Sequence, residues 1–143
     1  MDTVALRFSE NFATEKGTIL EHEEIILKNG FVWYGKFGLP LSLKVKNMIL
    51  KNNTAKVLLI QSGKTKRFWA HISDIVFDEP PKEEYPSYYH NRADKVKTWF
   101  KVTKFEEADN DIMSKCFVKS SKAPLSSASK HNMSPYFIIE CEV

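Results

Sequence analysis

The run Val57-Leu58-Leu59-Ile60 is apolar at every position and is closed by the polar Lys56 and Gln61. So short an unbroken apolar run reads as a strand in the middle of a sheet, which obliges the rest of the chain to supply neighbours for it. Val4, Leu6 and Phe8 alternate near the start and predict a half-buried strand over Thr3 to Phe8. Phe31 to Gly38 is aromatic and bounded by glycine, and predicts a short strand ending in a loop. Lys66 to Phe77 predicts the returning arm of a hairpin with Lys56 to Gln61, its turn at Ser62-Gly63-Lys64-Thr65. A long strand over Lys95 to Phe105 and a closing strand over Pro135 to Cys141 complete the set.

Two stretches have helical rather than strand spacing. Ile19, Leu20, Ile25, Ile26 and Leu27 place a helix between a cap at Asn11 or Thr14 and about Lys28, with Asn29-Gly30 as its stop. Ser42 is a good N-cap for a second helix over about Leu43 to Lys51, whose apolar face is Val45, Met48 and Ile49. Glu79 to Pro86 is a loop by its proline content, running on through His90. Asp109 to Ser129 is less regular, with a short helix from Pro124. Strands with helices between the early ones give an α+β domain, a curved mixed sheet of five or six strands that partly closes into a barrel.

The chain has 143 residues, the size of a single domain spanning 1–143. No apolar run reaches the length of about 20 residues that crosses a bilayer, and the first residues lack a secretion signal, so a cytoplasmic protein is expected. In that compartment Cys116 and Cys141, without CxxC spacing, are expected as reduced, buried residues. The four histidines, His22, His71, His90 and His131, show no metal-ligand spacing, so neither a metal nor a cofactor is expected. Ser62-Gly63-Lys64-Thr65 contains a GKT but lacks the upstream glycine of a phosphate-binding loop. There is no G-x-S-x-G elbow, and Cys116 stands in no basic signature that would mark a nucleophile, so binding is favoured over catalysis.

Net charge is a mild +3, whereas aromatic residues make up 13% of the chain. The aromatic residues are placed among basic ones. Trp33 stands beside Tyr34; Trp69 lies between Arg67 and His71 on one strand face; Trp99 lies between Lys97 and Lys101 on another. Indole rings flanked by cations suit stacking on bases next to a phosphate backbone, whereas the plainer reading packs the rings inward beneath lysine stems. Gly35 before Lys36 permits either close approach of a ligand or an ordinary turn. The hydroxyl- and lysine-rich segment from Lys119 to Ser127, with Ser120 and Ser121, can donate to phosphate oxygens or simply be solvated.

The stretch Trp33-Tyr34-Gly35-Lys36, set in the order strand, helix, aromatic strand, helix, hairpin, resembles the PUA-like superfamily and most closely its EVE branch, with YTH and ASCH domains as relatives. Trp99-Phe100-Lys101-Val102 after a proline- and tyrosine-rich loop, and the ending Ser134-Pro135-Tyr136-Phe137-Ile138, fit the same layout. The resemblance implies a pseudo-barrel with flanking helices that holds a nucleobase, often a modified one, in an aromatic pocket. It carries Trp33, Tyr34 and Lys36 over as pocket positions; Trp69 and Trp99 come from strand-face chemistry alone. Three functions follow as expectations. The first is a module binding nucleic acid or a nucleobase. The second is a phage or mobile-element protein that sequesters a nucleotide signal or blocks a host defence protein. The third is an ASCH-like ribonuclease, for which Lys36 and His71 are the candidate residues.

Overall fold

The computed structural model describes residues 1–8, 15–61 and 66–142. The expected caps Asn11 and Thr14 and the hairpin turn at 62–65 lie outside the described residues. The chain runs β1 (Asp2–Arg7), α1 (Thr18–Asn29), β2 (Val32–Phe37), α2 (Leu43–Leu50), β3 (Lys56–Ile60) and β4 (Phe68–Val76). Three single-turn 3-10 helices then lead to β5 (Val96–Glu107), α3 (Ile112–Lys115), β6 (Cys116–Val118), α4 (Leu125–His131) and β7 (Tyr136–Cys141).

Local chemistry explains the helix ends. The Ser42 side chain accepts from the Val45 backbone N–H at 3.2 Å, as an N-cap should. Gly30 ends α1 at φ 83°, with its N–H returned to the Ile26 carbonyl, a left-handed stop that glycine adopts without penalty.

The strands form one mixed sheet in the order β2-β5-β4-β3-β1-β7-β6. β1 and β3 are parallel and every other pair is antiparallel. Val57, Leu58 and Leu59 are fully buried, as the unbroken apolar run requires of a central strand. The α+β class holds. The sheet has seven strands where five or six were expected, because three-residue β6 carries too little pattern to be seen in sequence. Register shifts in β2 and β4 let the sheet curl. It curls far enough that the Lys36 ammonium on β2, an edge strand, lies 5.0 Å from the Tyr136 ring centroid on β7. Even so, the described residues form no ladder between β2 and β7, so the barrel is not closed by hydrogen bonds.

The concave side encloses the main core, including Leu6, Tyr34, Ile49, Leu59, Ile75 and Phe100. A second cluster lies under α3 and α4 and contains Trp69, Ile112, Leu125 and Phe137. A third holds Trp33, Tyr85, Tyr89, Val96 and Trp99, where the segment before β5 folds over β2 and β5.

The two cysteines depart from expectation. Cys116 and Cys141 stand directly opposite each other across β6 and β7, with Cα atoms 4.3 Å apart, and form a disulfide. Strand register brings together residues separated by 25 positions, a proximity that cysteine spacing does not reveal.

Candidate functional site

At the start of α1 a cavity of about 440 Å³ opens to solvent. Its apolar wall comes from Phe8, just after β1, and Phe68, the first residue of β4. Its polar wall comes from Lys16, Thr18, Glu23, Gln61 and Lys66. The parallel pairing of β1 with β3 and the hairpin-like pairing of β3 with β4 bring these strand ends together. Gly17, at φ 90°, caps α1 without any side chain, so the positive end of the helix dipole faces this side of the molecule. Lys16 is ion-paired with Glu24 at 3.0 Å, a surface contact that costs little to rearrange.

Behind the cavity lies a buried polar relay. His22 is fully buried on α1, and its Nδ1 lies 2.7 Å from the Thr18 carbonyl oxygen. A carbonyl can only accept, so Nδ1 carries the proton and Nε2 is the acceptor. Nε2 faces the Tyr89 hydroxyl at 3.4 Å. That hydroxyl also accepts from the Gly35 N–H at 3.1 Å. Burial holds the imidazole neutral, lowering its pKa to about 4, and pushes the Tyr89 hydroxyl well above its ordinary value. Tyr34, Tyr88, Tyr89 and Phe105 all pack within 6.1 Å of the His22 ring. Thr18 joins this relay to the cavity.

The residues singled out from sequence fall in several separate places. Trp33 is buried and donates from Nε1 to Glu84 at 3.0 Å. Trp69 is buried beneath α3 and α4, with the Lys56 ammonium 4.4 Å from its ring centroid. Trp99 is fully enclosed beside Tyr85 and Tyr89, and its Nε1 has no acceptor among the described residues. None of the three indoles offers an open stacking face. The alternation that set Trp69 and Trp99 on basic faces is present, but helices and loop cover those faces, and the lysines reach the surface around them.

Tyr34 lies 5.2 Å from His22 in the relay. Lys36 is buried at one end of the curled sheet, donating to the Leu39 carbonyl at 2.9 Å, and burial lowers its pKa. Gly35 allows a close approach, but of protein: a Cβ there would sit 2.8 Å from Val96 and 3.1 Å from Tyr89. Arg67 is half-buried and Lys97 exposed, while Lys101 rests its ammonium 4.4 Å from the Phe31 ring centroid. Ser120 and Ser121 are exposed, and Ser120 lines a second cavity of about 510 Å³ beside β7. His71 lies on the outer face of β4, 2.8 Å from Glu106, so the fold does not bring it together with Lys36.

Sequence reasoning missed Phe8, Lys16, Thr18, Gln61, Lys66 and Phe68 as a group. The available signal was an aromatic residue at each of two strand ends with a lysine close to one of them. Its meaning depends on β1 and β3 being parallel neighbours. Among the described residues no helix is long and apolar enough to cross a membrane, and no cluster of three or more metal-ligating side chains occurs.

Comparison with curated proteins and with solved structures returned no match. The family model for Pua-like proteins does match, over residues 4–139, and this spans the curled sheet, the cavity at α1 and the relay behind it. The chain therefore belongs to the Pua-like family.

Proposed function

We propose that this protein binds nucleic acid by holding one nucleobase in the cavity at the start of α1. The observation that carries the reading is the cavity itself, in a chain of the Pua-like family. Its 440 Å³ falls within the range of about 300–1,000 Å³ typical of small-molecule sites. Phe8 and Phe68 supply apolar surface for a flat ring, and Gln61 and Thr18 supply groups that can read a base edge. Lys16 and Lys66 stand at the rim, where a phosphate would lie. Tyr34 acts from behind, through the relay that fixes α1. Trp33 and Trp99 act more remotely, by anchoring the segment that bears Tyr88 and Tyr89. The resemblance to EVE and YTH domains adds that the preferred base is a modified one.

The test is a thermal-shift and calorimetric screen of nucleosides, modified nucleosides and short oligonucleotides, since a ligand that binds only the native state raises the melting temperature with concentration. Binding is expected for the wild type. Phe68→Ala should weaken it by about 1–3 kcal/mol, the usual contribution of one base–aromatic contact. A Phe68→Ala protein that folds and binds as tightly as wild type would remove this cavity as the site.

A further inference from the structure

We propose that the second cavity, beside β7, is the seat of a nucleotide flanking the bound base, so that the preferred ligand is a single strand rather than a free nucleotide. This rests on the nucleobase reading of the α1 cavity and extends it to the class of ligand.

The two cavities lie on either side of the end of β1. Phe8 lines the first and hydrogen-bonds through its N–H to the Ile60 carbonyl at 2.9 Å. Its chain neighbour Arg7 donates its N–H to the carbonyl of Pro135, which lines the second. One backbone step thus separates the two walls. The Arg7 side chain braces the connection that borders it: Nε donates to the Ser134 carbonyl at 2.9 Å, and a terminal nitrogen donates to the carbonyls of Ser129 at 2.6 Å and Asn132 at 2.8 Å. These bonds hold the α4–β7 connection in place as the rim of the cavity.

The second cavity repeats the chemistry of the first. Tyr136 contributes a half-buried ring, Ser120 and Asn132 contribute polar groups, and Lys119 contributes a cation. The Lys119 ammonium is paired with Asp2 at the surface, where exchange to a phosphate oxygen costs little. Two aromatic-and-cation hollows flanking the end of β1 suit unstacked bases of one strand. A duplex keeps its bases stacked and inaccessible, whereas a single strand can splay them apart.

The experiment compares mononucleotides with short single strands of RNA and of DNA in fluorescence anisotropy and calorimetry, using wild type, Ser120→Glu, Lys119→Gln and Lys66→Glu. The single strand should bind at least about tenfold more tightly than the mononucleotide. Ser120→Glu should erase that advantage and leave mononucleotide affinity unchanged, and Lys119→Gln should lower the salt slope of strand binding by about 0.7. Both substitutions are on the surface, and circular dichroism verifies that the fold is kept. Equal affinity for nucleotide and strand, or strand binding untouched by Ser120→Glu, overturns the second seat. Loss of both ligands in Lys66→Glu alone leaves the nucleobase reading standing without it. Strand binding that survives Lys66→Glu but not Ser120→Glu removes the α1 cavity as the base site, and with it the flanking seat as proposed.

Discussion

At Gly35 the missing side chain decides how closely the segment before β5 can lie on β2. An added Cβ would come within 2.8 Å of Val96, 3.0 Å of Trp99 and 3.1 Å of Tyr89. Gly35→Ala is therefore expected to destabilise the fold by about 1–3 kcal/mol, the usual cost of overpacking, measured by urea unfolding. His22 makes a different prediction. Its folded pKa of about 4 lies below the ordinary value of 6.5, so between these the unfolded chain takes up a proton that the native protein refuses. Its contribution to stability is complete above pH 6.5 and is lost as pH falls towards 4, by about 3 kcal/mol in all. Unfolding free energies at neutral pH and near pH 4 should show this fall in the wild type, and His22→Asn should flatten it. Tryptophan shows the limits of reading single residues. The basic flanks of Trp99 are plain in the sequence, but its complete burial depends on Tyr85 and Tyr89, which reach it from a separate loop.

The elements were legible where their signals were local. Ser42 and Gly30 cap their helices as their residue types dictate, and Ser42→Ala should cost about 1 kcal/mol in chemical denaturation. β6 was not legible, because three residues cannot display a period, and with it the cysteine pairing was lost from view. The Cys116–Cys141 disulfide closes a separation of 25 residues between the other edge strand and β7. Chain entropy assigns such a closure about 3 kcal/mol. Thiol titration of the purified, denatured protein should find no free thiol before reduction and two after it, and the reduced protein should unfold at lower urea.

On the scale of the whole molecule, the mild net charge of +3 means that the proposed binding of nucleic acid would have to draw its attraction from local placement of lysines. Binding of a single strand should weaken with salt, and Lys66→Ala should reduce the slope of log affinity against log salt by about 0.7, the value for one lost phosphate contact. An unchanged slope would place Lys66 away from the backbone.

Periodicity, caps and one apolar run determined by themselves that this chain builds a mixed α+β domain around Val57–Ile60, since those signals act over a few neighbouring residues. Which faces are covered was decided only in three dimensions. Residues before β5 bury Trp33 and Trp99; helices after it bury Trp69; strand register pairs the cysteines; and a parallel β1–β3 contact gathers Phe8, Gln61 and Phe68 into a hollow. Each of these joins residues far apart in the chain, and no local pattern encodes where a distant segment will come to rest.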